Sequence, residues 1–329
     1  MSETHKVLVA SRDFPECGLK ILREHFTVIV SKYQNCGEEG ETKNEQELQK
    51  LIPGCSALVW LLHHPITNEL LDKAGPKLKL VATTSAGYNH CNVAELKKRG
   101  IQLTNTPNVL SPAVAEVAVS LMLAAARRFP EALQQVKSAK WEMGFYAGLG
   151  QDIRGSTVGI IGFGGVGQTV MKRLSGFEVA KVLYSGRSEK PEGKALGAHF
   201  VTQDELLSQS DFVVLACPLT DETRNMMNKT EIGKMKKNAI LINVGRGELV
   251  DQEALYEALK NKDINAAGLD VTTPEPLPKD HKLLALPNCF ITPHIGSATT
   301  RTRCEMAELA ANNVVNGLTG KPLLTQVKL

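Results

Sequence analysis

Thr157-Val158-Gly159-Ile160-Ile161-Gly162-Phe163-Gly164-Gly165-Val166-Gly167-Gln168 joins a short apolar run to a helix-like run through a glycine-rich turn. The run ending at Ile161 has the length and β-branching of a buried strand, and residues 168–174 carry helical patterning. Gly162, Gly164 and Gly167 stand in the G-x-G-x-x-G order. In that order the first glycine permits a tight turn, the second lets backbone approach a pyrophosphate, and the third lets helix pack closely on strand. The free N–H groups and positive dipole end of the helix then favour an anion. A glycine-rich turn without a ligand is the bland alternative. The strand, turn and helix in order predict instead a dinucleotide held by Gly162, Phe163, Gly164, Gly165 and Val166.

Outward from this turn, apolar runs alternate with helix-like stretches, the pattern of parallel sheets with crossover helices. One series has strand candidates at residues 7–10, 28–30, 58–62, 80–83 and 101–104. A second begins at 157–161 and continues at 181–184, 212–216, 240–244, 267–271 and 290–292. Ser111-Pro112 offers an N-cap and a first-turn proline for a long helix through Arg128. Residues 141–150 read as an ordered loop, and 299–318 as a helix that follows the second series and returns to the first. The expected fold class is α/β: two doubly wound parallel-sheet domains, Rossmann-like or flavodoxin-like, with a cleft between them. Residues 1–106 plus 298–329 are expected to form a discontinuous substrate-binding domain and 107–297 the dinucleotide-binding domain.

Composition narrows the classes. At 329 residues the chain is long enough for two cores, and 43% hydrophobic with 22% charged residues is ordinary for a packed protein. Thirty-eight basic against 35 acidic residues, a net charge of +3, is too balanced for a nucleic-acid binder. No apolar stretch reaches bilayer length, 117–126 being a buried helix, so no membrane is expected. The seven cysteines are odd in number and lack a C-x-x-C pair, which supports neither a disulfide framework nor a metal site. With no apolar export core near Met1, a cytoplasmic location follows; Val327-Lys328-Leu329 matches a peroxisomal S-K-L address only in its last two residues.

After the second strand of the second series, where NAD enzymes carry a ribose-binding acid, the chain reads Ser185-Gly186-Arg187-Ser188. An arginine here pairs with a 2′-phosphate through charge-assisted hydrogen bonds. Gly186, Arg187 and Ser188 therefore point to NADPH, with NADH possible but weaker; a surface arginine in a turn is the alternative.

Three further segments end successive strands: Asn243-Val244-Gly245-Arg246-Gly247, Asp270-Val271-Thr272-Thr273-Pro274-Glu275-Pro276, and Thr292-Pro293-His294-Ile295-Gly296. In this order, downstream of the glycine turn, they resemble the D-isomer-specific 2-hydroxyacid dehydrogenase family over essentially the whole chain. Within it, the phrase around His294-Ile295-Gly296-Ser297-Ala298-Thr299 is most similar to the glyoxylate/hydroxypyruvate reductases.

The resemblance implies NADPH-dependent reduction of small 2-keto acids such as glyoxylate and hydroxypyruvate to glycolate and D-glycerate. Arg246, Glu275 and His294 are the implied catalytic residues: His294 as proton donor, Glu275 orienting the imidazole, and Arg246 holding the substrate carboxylate or carbonyl oxygen. Pro218, Val244, Asp270 and Gly296 join the cofactor set, Asp270 being equally readable as a strand-end acid capping the next turn. Ala86 and Gly87, within Thr84-Ser85-Ala86-Gly87-Tyr88, resemble the family loop whose amides bind the substrate carboxylate, and Ser297 joins them. Trp141 is a candidate to cap the substrate pocket across a dimer interface, against a buried packing role. Leu61-Leu62-His63-His64 either lines the pocket or forms a surface turn. Gly165 stands where close relatives often carry a larger polar residue, which removes one side-chain contact to the phosphates. A homodimer is implied and no metal is expected. An NAD-linked dehydrogenase of another D-2-hydroxy acid, and a nucleotide-sensing corepressor-like binding protein, are the competing readings.

Overall fold

A computed structural model describes residues 5–33, 37–61, 64–145 and 147–329. The chain divides into two compact units, Met1–Leu110 with Ala298–Leu329, and Ser111–Ser297.

In the first unit, β1 (Lys6–Val9), α1 (Glu16–Arg23), β2 (Thr27–Val30), α2 (Gly37–Leu51), β3 (Ala57–Trp60), α3 (Asn68–Ala74), β4 (Leu80–Thr83), α4 (Val93–Lys98) and β5 (Gln102–Thr104) follow in order. The sheet order is β2-β1-β3-β4-β5 and every pairing is parallel. Helices cover both faces, so successive strand residues are buried on alternate sides and the strands read as continuous apolar runs. Val7, Val9, Ala57 and Val59 pack on Leu19 and Leu22 of α1; Leu8, Leu58 and Trp60 pack on the opposite side with Leu48, Ile52 and Leu70. Thr67 and Asn92 start α3 and α4 by accepting a backbone N–H three residues on. The strand expected at 58–62 stops at Trp60, and Leu62 and His63 lie outside the described residues.

The second unit opens with α5 (Ser111–Ala126) and α6 (Phe129–Ser138). The single helix expected through Arg128 ends earlier because Arg128 turns left-handed, at φ 55°, before Pro130 seeds α6. Ser111 lies inside the first turn of α5, not ahead of it. Then come β6 (Thr157–Ile161), α7 (Gly165–Leu174), β7 (Lys181–Ser185), α8 (Pro191–Leu196), β8 (His199–Phe200), α9 (Gln203–Gln209), β9 (Phe212–Leu215), α10 (Lys229–Ile232), β10 (Ile240–Asn243), α11 (Gln252–Asn261), β11 (Ala266–Leu269) and β12 (Cys289–Ile291). They form a parallel seven-stranded sheet in the order β12-β11-β10-β9-β6-β7-β8. The expectation of two parallel-sheet α/β domains holds; the edge strand β8 carried no sequence signal because it is two residues long.

The last helix, α12 (Thr300–Leu318), belongs to the first unit and packs along α1. There Cys17 and Cys304 form a disulfide, with Cα atoms 6.1 Å apart. This corrects the reading of the cysteines: the partners are 287 residues apart, so no spacing pattern announces them. Cys55, Cys91, Cys217 and Cys289 are unpaired among the described residues.

Candidate active site

The strand order reverses at β6: β7 and β8 lie on one side, and β9 to β12 on the other. In an open parallel sheet, ligands bind outside the carboxyl ends of the strands at such a switch point. The glycine turn, residues 186–188, Pro218 and the segments that carry Arg246, Glu275 and His294 emerge from those ends, whereas Trp141 follows α6.

Beyond β6, Gly162 has φ 94°, and a Cβ there would meet the Cys217 backbone at 2.6 Å, so only glycine makes this turn. Gly164 precedes α7 and faces open space: a Cβ would meet nothing within 4 Å. An unobstructed backbone ahead of a helix N-terminus fits a pyrophosphate. Phe163 turns inward and stacks on Tyr184, ring centroids 4.2 Å apart, so its ring faces the core and its backbone faces the turn. Gln168 of α7 donates through Nε2 to the Phe163 carbonyl at 3.1 Å and so braces the turn.

After β7, Gly186, Arg187 and Ser188 are exposed. Sequence reasoning missed the group that shapes this loop: the Tyr184 hydroxyl accepts from the Lys190 N–H at 2.9 Å and donates to its carbonyl at 3.2 Å. Nearby Glu222 is held below the usual carboxylate range by the Thr220 hydroxyl, its own backbone N–H and the charge of Arg187. Pro218, in the turn after β9, is exposed, and its carbonyl accepts from Thr223.

The segments after β10, β11 and β12 lie side by side because those strands are neighbours. His294 and Glu275 meet, Nδ1 to Oε2, at 2.8 Å, and both are partly exposed. The other carboxylate oxygen of Glu275 accepts from Thr272 N–H at 3.0 Å, which leaves Oε2 facing the ring. Gln252, at the start of α11, pairs with both backbone groups of Thr273 and ties down the loop that carries Glu275. No sequence motif marks Gln252. Arg246 is half-buried, with Asn243 bracing its backbone at 2.8 Å. Burial lowers the pKa of its guanidinium, opposed by the charges of Glu275 and Glu248, and a group starting so far above neutrality stays a cation.

His294 sits at φ 52°, in the left-handed region that costs a residue with a side chain roughly 1–2 kcal/mol. Asp270, 2% exposed, holds it there. One carboxylate oxygen accepts from Thr292 Oγ1 at 2.6 Å and Ile295 N–H at 2.9 Å; the other accepts from Gly296 N–H at 2.7 Å. Val244 is buried against the sheet and Ser297 is half-buried.

In the first unit, the loop after β4 is pinned by its carbonyls. Asn105 Nδ2 donates to Ala86 O and Ser85 Oγ to Gly87 O, both at 2.7 Å. The amides of Ala86 and Gly87 donate to no described residue, so the loop presents donors. His64 packs edge-on against Trp60, ring centroids 5.1 Å apart, which gives it a packing contact. Trp141 is 64% exposed, so the buried packing role weighed for it is not the one it takes within this chain.

Comparison with known proteins gives the family. The profile of the D-isomer specific 2-hydroxyacid dehydrogenase NAD binding domain matches residues 119–296. The chain is similar to the glyoxylate reductase/hydroxypyruvate reductase of Homo sapiens, 48% identical over 92% of this chain and 94% of that protein. A solved Thermus thermophilus structure is 40% identical with a TM-score of 0.88, covering 98% of this chain and 100% of that one. An NADPH-dependent glyoxylate/hydroxypyruvate reductase from Sinorhizobium meliloti, solved with NADP and malonate, is 29% identical with a TM-score of 0.82 over 99% of this chain and 97% of that one. Glycine turn, Arg246, Glu275 and His294 thus lie in a match that spans nearly the whole sequence, and the chain belongs to the D-isomer-specific 2-hydroxyacid dehydrogenase family.

Proposed function

We propose that the chain reduces small 2-keto acids, glyoxylate and hydroxypyruvate, with NADPH as the preferred cofactor and His294 as the proton donor. The observation that carries this reading is the 2.8 Å contact of His294 Nδ1 with Glu275, made at the carboxyl ends of adjoining strands beside Arg246. The glycine turn and the N-terminus of α7 would hold the pyrophosphate, and Gly186, Arg187 and Ser188 the adenosine 2′-phosphate. Arg187 supports NADPH over NADH by chemistry, since residues 185–188, where NAD enzymes carry a ribose-binding acid, include a cation and no carboxylate. When bound, a reduced nicotinamide supplies the hydride that adds to the keto carbon.

The chain's own groups do the rest. With Nδ1 engaged by Glu275, His294 presents Nε2 to the developing alkoxide and protonates it. Glu275 fixes the ring so that this proton has one direction to leave. Arg246 places a permanent positive charge against the substrate carboxylate or carbonyl oxygen. Asp270 acts through the backbone: by gathering Thr292, Ile295 and Gly296 it holds the turn that aims His294.

A homodimer and a cytoplasmic location complete the proposal. Phe129, Leu133 and Val136 form one apolar, exposed face of α6, continued by Trp141 and Met143, and a second copy of the chain is the partner that would cover it. Among the described residues no helix is long and apolar enough to cross a membrane.

The test follows NADPH and NADH oxidation spectrophotometrically with glyoxylate, hydroxypyruvate and pyruvate. Faster turnover of NADPH with the first two supports the proposal. A preference for NADH removes the role given to Arg187, and no turnover with any keto acid overturns the reading.

A further inference from the structure

The first unit contains a second cluster of reactive side chains that the proposed reaction does not use. Helix α1 lies close along α12 because Gly18 has no side chain: a Cβ there would stand 3.0 Å from that of Ala307. Cys17 precedes Gly18, and Cys304 lies one turn before Ala307, so the two thiols face each other across the contact with Cα atoms 6.1 Å apart. Glu308 follows Cys304 by four residues on the same helix face. Its Oε1 lies 3.7 Å from Cys304 Sγ. All three ligand atoms, two sulfurs and one carboxylate oxygen, fall within 4.8 Å of one another.

Glu308 is also unclaimed. Glu305 on the same helix and Glu16 next to Cys17 in the chain are paired with Arg301 and Arg23, whereas Glu308 forms no ion pair among the described residues. Two thiolates and a carboxylate make a set suited to a thiophilic divalent cation, which bonds sulfur at about 2.3 Å and oxygen at about 2.0–2.2 Å. Tetrahedral geometry at those lengths separates the donor atoms by roughly 3.5–3.8 Å. The Cys304–Glu308 separation already meets this; the sulfurs reach it by side-chain rotation once the bond between them is broken.

We propose that in the reduced chain Cys17, Cys304 and Glu308 bind a thiophilic divalent cation such as zinc, with water as the fourth ligand, in exclusion of the disulfide. The balance is simple. A dithiol reductant delivers two electrons and two protons to the Cys17–Cys304 bond and becomes a cyclic disulfide. The cation then displaces the two thiol protons and bonds the two sulfurs. Because the same sulfurs serve both states, each state ties α1 to α12 and each excludes the other. A reducing compartment would favour the metal-bound form.

The experiment uses the full chain, reduced with dithiothreitol, freed of metal and titrated with cadmium ion, whose thiolate complexes absorb in the ultraviolet. The expected result is one equivalent bound with a sulfur-to-cadmium band, lost in Cys304→Ser and in Cys17→Ser. Glu308→Gln should keep the band and weaken binding roughly tenfold or more. The unreduced chain, which carries no substitution and so no folding defect, should show no band. A band of full height in Cys304→Ser, no band in the reduced chain, or unchanged affinity in Glu308→Gln each overturns the proposal.

Discussion

At the scale of single residues, the candidate site depends on a histidine whose backbone is held in an unfavourable conformation. The φ of 52° at His294 is stabilised by a buried carboxylate that satisfies three donors at once, beside the His294 N–H bonds to the Asp270 and Thr292 carbonyls. Asp270→Asn turns one acceptor into a donor facing a backbone N–H. We expect kcat to fall at least about tenfold while cofactor affinity, read by fluorescence quenching, changes less. His294→Ala should lower kcat by about 10²–10⁴ with cofactor binding retained, the usual worth of a general acid. Activity near that of the parent in His294→Ala would remove it as the proton donor. For Arg187→Ala, losing a charge-assisted pair of about 1.5–3 kcal/mol predicts a roughly ten- to hundredfold drop in kcat/KM for NADPH, with that for NADH little altered. An unchanged ratio of the two cofactors would refute the assignment.

At the scale of elements, the two ends of the seven-stranded sheet divide the work. The carboxyl ends carry the glycine turn and the three candidate catalytic segments. The amino ends carry a knot of stability around Asp211, just before β9, which accepts from Thr157 N–H at 2.9 Å, Lys236 at 3.0 Å and Asn238 at 3.2 Å. Burial raises the Asp211 pKa, but those hydrogen bonds and the Lys236 charge outweigh it and hold the carboxyl below its ordinary value. A carboxylate depressed in the folded state stabilises the fold above its unfolded pKa, and that contribution is lost as pH falls through the folded value. Asp211→Ala should therefore cost about 1.5–3 kcal/mol near neutral pH, and the gap to the parent in urea midpoint should close well below the ordinary carboxylate pKa of about 3.9. A gap independent of pH would mean that Asp211 acts by packing alone.

At the scale of the whole molecule, the apolar face of α6 is the feature that a single chain leaves unexplained. Leu133 and Val136 are each 54% exposed on that face. Replacing both with lysine should turn a sedimenting dimer into a monomer without unfolding it; a parent that already sediments as a monomer would end the dimer proposal. Much of the architecture was readable beforehand, because buried parallel strands write themselves as short apolar runs and the glycine turn has a backbone cause at Gly162. The candidate trio of Arg246, Glu275 and His294 was named through the family resemblance of three segments in order, each of which lies directly after a strand. What escaped were the supports: Tyr184 under the Arg187 loop, Gln252 on Thr273, and Asn105 behind Ala86. Each acts on backbone atoms through a side chain that looks ordinary in sequence. The local pattern of residues thus determined which segments become strands, helices and phosphate turn, since those choices depend on neighbours a few positions apart. Tertiary structure alone decided that Cys17 meets Cys304 and that Asp270 holds His294 left-handed, because each depends on groups far apart in the chain that its local pattern does not encode.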